Sequence, residues 1–235
     1  MQSEAEQYFE LLFNGDPRKR VRALQNLMNI ASKLNYDERE GIVEQIERLA
    51  DDEQPFIRWN LAYALGKMGH ERGLKILEKL STDEHANVRF RVAHSLGLIG
   101  NESAIPILEK MTSDTYKIGE HAVVRAFAAQ ALGRFPFESS VRVLGRLVED
   151  EDPVVRWHVA VALGDIGHEG AVQYLAKLVN DKIPFVRAHT AIALAQIGHR
   201  DGLKYLEQLA KDDVQRVAQI STEALKTLRT ILQLT

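Results

Sequence analysis

Five segments of this chain repeat one pattern, and that pattern leaves little freedom for the fold. They are QPFIRWNLAYALGKMG (54–69), HANVRFRVAHSLGLIG (85–100), HAVVRAFAAQALGRFP (121–136), DPVVRWHVAVALGDIG (152–167) and IPFVRAHTAIALAQIG (183–198). Each holds an aliphatic residue, then Arg, then small or apolar residues at fixed offsets, then Leu-Gly or Leu-Ala. The arginines Arg58, Arg89, Arg125, Arg156 and Arg187 are spaced by 31, 36, 31 and 31 residues. Arg22 extends the series backward by 36, and Ala218 takes the next slot forward. An Asp stands six residues before most slots: Asp16, Asp52, Asp83, Asp150, Asp181 and Asp212. In the fourth repeat Gly119 stands there instead, and Asp114 is displaced by an insertion, Thr115 to Gly119.

Between these segments lies a second pattern, as in GLKILEKL (73–80) and GLKYLEQLA (202–210). Its apolar residues recur at the spacing of an amphipathic helix. Pro55, Pro153 and Pro184 sit where a helix starts, a position that tolerates a missing N–H. Gly69, Gly100, Gly167 and Gly198 follow the helix end, where a left-handed residue closes it. Nothing alternates with period two, so no strands are expected. Each unit is then two antiparallel helices, and a single pair cannot bury its apolar face alone. The expected fold is all-α, a right-handed α-solenoid of stacked helix pairs. It forms one repeat domain over 1–235, with a cap helix at about 2–14, repeats over 16–212 and a second cap helix at 213–233.

Composition narrows the chemistry. The chain has no cysteine, which excludes a disulfide framework, a cysteine-ligated zinc or iron–sulfur site and a thiol nucleophile. Net charge is −3, so no basic excess points to nucleic acid. The longest stretch free of Asp, Glu, Lys and Arg runs only from Ala188 to His199, shorter than the roughly 20 residues of a membrane helix. The amino terminus has no basic region before an apolar run, so a signal peptide is not expected and the cytoplasm is the expected compartment.

The pattern V-R-x-x-x-A-x-A-L-G-x-I-G resembles the HEAT-like repeats of phycobilin lyase subunits of the E/F type. It also resembles the designed helical repeat proteins idealised from such sequences. The resemblance covers nearly the whole chain, about residues 16 to 235, and is specific for the fold rather than for a function. It implies a soluble binding scaffold, or a bilin lyase subunit that works with a second HEAT-like subunit as a hetero-dimer. In the second case a tetrapyrrole would be attached to a cysteine of a client protein, because this chain has none.

Side chains that recur with the repeat are expected to hold it together. The Arg and Asp series can be an anion-binding row or a ladder between layers in which Asp also satisfies helix amides; the ladder is the expectation. His70, His168 and His199 share one repeat position after the closing Gly, and His70-Glu71 and His168-Glu169 are pairs. They resemble the His-Glu pairs with which deoxyhypusine hydroxylases, also HEAT-like, bind iron. Those enzymes need four pairs on converging helices. The two pairs here fall in turns three repeats apart, so turn or cap roles are expected and no metal.

Residues that depart from the repeat are the candidates for function. With the Arg as offset 0 and about 100° per residue, offsets +1, +2, +5 and +9 lie opposite the apolar side. In the designed relatives this is the concave binding surface. Here it carries Trp59, Asn60 and Tyr63; Phe90, Arg91 and His94; Phe127, Gln130 and Arg134; Trp157, His158 and Val161; and His189 and Ile192. Large aromatics with Arg and His suit a protein or peptide partner. They also suit a planar ligand bearing carboxylates, such as a bilin. The other reading is packing of Trp against the next helix. Two functions follow: a non-catalytic protein- or peptide-binding scaffold with no cofactor, or a bilin lyase subunit or related chromophore attachment or degradation factor. The insertion at 115–119 and Phe135-Pro136-Phe137 carry either function or a bend in the stack.

Overall fold

A computed structural model describes residues 2–115 and 121–233. It contains α-helices and short 3-10 turns, with no strand among the described residues. The inserted residues 116–119 lie outside the described residues. Contacts divide the chain into two compact units, one of residues up to Met111 with Thr115, the other of Thr112–Asp114 with everything from His121 on.

The first unit holds α1 (Gln2–Asn14), α2 (Pro17–Ala31), α3 (Tyr36–Ile46), α4 (Pro55–Met68), α5 (Arg72–Leu80), α6 (Ala86–Ile99) and α7 (Ile105–Met111). Helices α2, α4 and α6 pack on one another in sequence, α1 closes the open side of α2, and α3 and α5 pair alongside. The second unit holds α8 (His121–Leu132), α9 (Glu138–Arg146), α10 (Pro153–Ile166), α11 (Val172–Leu178), α12 (Pro184–Ile197), α13 (Gly202–Leu209) and α14 (Gln215–Ile231). There α8, α10, α12 and α14 form the stacked row, flanked by α9, α11 and α13.

Local chemistry explains the ends. Pro17, Pro55, Pro153 and Pro184 each occupy the first helical turn. Gly69, Gly100, Gly167 and Gly198 close four helices with φ between 66° and 71°, a region costly to any residue with a Cβ. α8 ends differently. Arg134 and Phe135 donate to Ala131 and Leu132, Pro136 turns the chain, and Phe135 is sealed at 1% exposure. This departure from the Ile-Gly ending therefore fills the core.

Neighbouring helices of the row touch through small residues. A Cβ on Gly164 would lie 2.9 Å from Ala193 Cα, one on Gly133 2.9 Å from Ala162 Cα, and one on Gly66 2.8 Å from Ser95 Cα. Such approaches let Val and Leu from both helices interlock beneath.

The arginines build a ladder. Arg58 Nε and Nη2 donate to Asp83 at 2.5 and 3.0 Å, while Nη1 reaches back to the Asp52 carbonyl at 2.6 Å. The rung recurs at Arg125–Asp150 (2.7 and 2.9 Å), Arg156–Asp181 (2.5 and 2.9 Å) and Arg187–Asp212 (2.6 and 2.7 Å). Each of these Asp carboxylates also accepts an amide two residues on, at 2.9 Å, and Asp83 does the same. Asp114, displaced by the insertion, still offers its carbonyl to Arg125 at 3.3 Å. The carboxylate hydrogen bonds raise the affinity of Arg58, Arg125, Arg156 and Arg187 for their protons. Burial alone would raise Asp83 and Asp181, but their arginine and amide donors hold both below the ordinary range.

One slot differs from the sequence expectation. Arg20, not Arg22, occupies the first rung: it bonds the Asp52 carboxylate and the Leu12 carbonyl, while Arg22 is exposed. Proline fixes this register, since Pro17 precedes Arg20 by the same three residues that separate Pro55 from Arg58. Asp16 accordingly caps α2, accepting from the Arg18 and Lys19 amides.

Candidate functional site

With the register set by the ladder, the face opposite the apolar side can be followed helix by helix within each unit. In the first unit, Trp59 and Tyr63 of α4 stack with their rings 6.2 Å apart at 21°. Arg91 of α6 lays its guanidinium over both, 4.1 Å from the Trp59 ring and 5.2 Å from Tyr63, with its neighbour Phe90 at 5.4 Å. Lys67 approaches Tyr63 from one turn further on, at 5.8 Å. His94 is partly exposed beside them. Asn60 is a correction: it is 8% exposed and donates to the Phe56 carbonyl at 2.8 Å, so it belongs to the helix interior rather than to the face.

Burial lowers the pKa of Arg91, opposed by Tyr63. No hydrogen bond or ion pair reaches its guanidinium from the described residues, and Nε is fully covered. Among the described residues its support comes from aromatic faces.

In the second unit the rings gather on α10 and α12. Trp157 meets Phe185 edge-on at 6.1 Å and His189 at 5.4 Å, and His158 lies 4.5 Å from Trp157 and 6.1 Å from Phe127. His189 Nδ1 is 2.8 Å from the Phe185 carbonyl, which holds the imidazole against the helix. Burial pushes His158 toward its neutral form. Trp157 Nε1 is covered and has no acceptor among the described residues. Val161 is partly exposed, and Gln130 and Arg134 are exposed. Asp165 is raised by burial, a rise that Arg134 opposes.

Both indoles are thus half-buried, neither sealed in the stack nor free of it. Two groups of face residues escape the sequence reading. Offset −2 falls at about 160° on the wheel, inside the same arc. It holds Phe56, Val123, Val154 and Phe185, exposed by 47, 44, 41 and 41%. The second group lies on α14, where Ala218 interrupts the Arg series. Counting on from Ala218 brings Gln219, Ile220, Glu223 and Thr227 to the face, where with Ile192 and Gln196 they line a groove of about 480 Å³.

The histidines at the repeat turns have a structural task. His70, His168 and His199 accept from the amides of Arg72 (3.2 Å), Gly170 (3.0 Å) and Asp201 (3.3 Å) through Nδ1. Asn101 does the same for Ser103 at 2.9 Å. An amide oxygen replaces the imidazole nitrogen because both cap a turn. His70 is further buried against Tyr36, with ring centroids 4.2 Å apart. No group of three or more His, Cys, Asp or Glu suited to a metal occurs among the described residues. No described helix is long and apolar enough to cross a membrane.

Comparison with known proteins places the fold. Residues 6–85, 42–119, 117–183 and 163–226 match the family model for HEAT repeats. No curated protein matches the chain. The complex of CpcE and CpcF of phycocyanin lyase from Nostoc is similar at 19% identity, over 97% of this chain and 92% of that one, with a TM-score of 0.53. An engineered protein is similar at 23% identity, over 96% and 68%, with a TM-score of 0.52. Human deoxyhypusine hydroxylase in complex with glycerol aligns at 21% identity over 97% of each chain, with a TM-score of only 0.45. At these identities the likeness is one of fold. With repeat matches along nearly its whole length, and helix pairs stacked as the repeat requires, this chain belongs to the HEAT-repeat family.

Proposed function

We propose that the chain is a non-catalytic scaffold that grips a protein or peptide segment along the exposed face of its Arg-row helices. One observation carries the reading: Val123, Val154 and Phe185 stand exposed at one repeat position on three successively stacked helices, beside the half-buried Trp157. An apolar row of this kind, with aromatic anchors and polar neighbours such as Gln130 and Arg134, is the make-up of a recognition surface. The nearby polar groups are committed to structure: the Asp–Arg pairs to the ladder and the turn histidines to caps.

Peptide phage display on the full chain tests this. Peptides selected on the wild type should lose at least about tenfold in affinity on Trp157→Ala and Phe185→Ala. They should be indifferent to Lys177→Ala, which removes an exposed ion pair with Glu149. Because Trp157 is half-buried, its truncation should cost less stability than the roughly 3–5 kcal/mol of a sealed Trp. Peptides that bind Trp157→Ala as well as wild type defeat the proposal. Titration with biliverdin decides the bilin alternative: a sharpened, red-shifted visible band that Trp157→Ala abolishes would favour a lyase-type subunit, paired with a second HEAT-like chain.

A further inference from the structure

We infer that the exposed face of α2, α4 and α6 in the first unit receives an acidic polypeptide segment, with Arg91 as its anchor; this rests on the scaffold reading and gives that partner a chemistry.

The charge on this face runs against the charge of the chain. Asp and Glu outnumber Lys and Arg by 33 to 30 overall. With Arg20 as the slot of α2, the face offsets −2, +1, +2, +5 and +9 on the three helices hold Arg18, Arg22, Lys67 and Arg91 and no carboxylate. The same offsets on α8, α10, α12 and α14 hold two cations, Arg134 and Arg216, balanced by Asp165 and Glu223. Several cations elsewhere in the first unit are paired: Arg72 with Glu40 and Glu44, Lys79 with Asp51, Lys110 with Glu78, Arg20 with Asp52 and Arg58 with Asp83. Arg18, Arg22, Lys67 and Arg91 form no ion pair among the described residues. These face offsets thus bring four cations and no carboxylate to one side of three helices.

Arg91 shows what such a face is built for. A guanidinium drawn partly out of water without a counter-ion is costly. Here three aromatic rings hold it in place, which fixes the plane of its remaining N–H donors in advance. A carboxylate arriving at that edge finds a preorganised, two-pronged donor. The same geometry favours polypeptide over single-stranded nucleic acid. Base stacking needs open aromatic faces, and Arg91 already covers Trp59 and Tyr63.

Fluorescence anisotropy on the full chain with labelled nonapeptides provides the test. The probes are an alternating Glu-Leu peptide, its Gln-Leu isostere, a Lys-Leu peptide and a dT15 oligonucleotide. The Glu-Leu peptide should bind, and weaken about tenfold or more between 50 and 300 mM salt. Arg91→Gln should cost about tenfold, Arg22→Gln and Lys67→Gln a few-fold each, and Lys75→Gln nothing. In a Trp157→Phe background the emission of Trp59 should change on addition of the Glu-Leu peptide and stay constant after Arg91→Gln. Melting of each variant is followed by circular dichroism, and Arg91→Lys replaces Arg91→Gln if the latter unfolds. Equal binding of the Glu-Leu and Gln-Leu peptides, indifference to Arg91→Gln, or tighter binding of dT15 would each overturn the inference. Failure of the Glu-Leu peptide to bind, while displayed peptides still depend on Trp157, would overturn it too and leave the scaffold reading intact.

Discussion

Replacing Asp212 with Asn probes the ladder where its electrostatics are sharpest. The Asp212 carboxylate accepts from Arg187 Nε at 2.6 Å, from Nη2 at 2.7 Å and from the Val214 amide at 2.9 Å. The Arg187 bonds above all, working against burial, hold its pKa at about 2, where an unperturbed Asp has 3.8. That difference corresponds to roughly 2 kcal/mol of folding free energy at neutral pH, at about 1.4 kcal/mol per pH unit. It is an upper figure, since residual solvent contact screens the pair and Asp213 also reaches Arg187 at 3.2 Å. The sign is set by the direction of the shift. The folded state binds this proton less tightly than the unfolded chain. The stabilisation is therefore complete above about pH 4 and is lost as pH falls toward 2. Asp212→Asn cannot titrate. The stability gap between wild type and variant should be no more than about 2 kcal/mol at pH 7 and should narrow between pH 4 and pH 2. Urea unfolding followed by far-UV circular dichroism measures the gap, and the 13Cγ shift of Asp212 reports its titration directly. A gap that does not change with pH, or a carboxyl that titrates near 3.8, refutes the reasoning.

Three further outcomes follow from the fold. Arg20→Ala should destabilise by about 1–3 kcal/mol by removing the guanidinium from the half-buried Asp52 carboxylate, while Arg22→Ala should stay within about 0.5 kcal/mol; equal effects in chemical denaturation would contradict the assigned register. Gly164→Ala should cost about 1–3 kcal/mol because its Cβ would meet Ala193 at 2.9 Å, and an unchanged melting temperature would show that α10 and α12 separate freely. Phe135→Ala should cost about 3–5 kcal/mol, and a silent substitution would mean that the unusual end of α8 does not fill the core as described.

The helix pairs, the left-handed glycines and most of the ladder were legible in the sequence, because side chains that contact the neighbouring repeat must recur at the repeat's own spacing. Arg20 was missed for a local reason. The first repeat places Arg22 on the same 36-residue interval as a genuine insertion further on, and only the Pro17 offset distinguishes the two. The exposed row at Phe56, Val123, Val154 and Phe185 was readable on the helical wheel, but it precedes the arginine and was not counted. Asn60 could not be read this way: a wheel gives an angle and is blind to a side chain folding back onto the carbonyl one turn earlier. The depth of Trp59 and Trp157 depends on how closely neighbouring helices approach, which the small-residue contacts decide.

Beyond the first rung, Arg58, Arg125, Arg156 and Arg187 each join an aspartate carboxylate 25 residues ahead, and Arg58, Arg156 and Arg187 also a carbonyl six residues behind. Excision of residues 151–181 would seat Asp150 where Asp181 stood. Arg125 would keep its carboxylate, and Arg187 would find the Asp150 carbonyl in place of the one removed. Recombination between copies can thus lengthen or shorten this molecule by whole modules without orphaning a charge of these rungs, because their clasps are written in relative rather than absolute position.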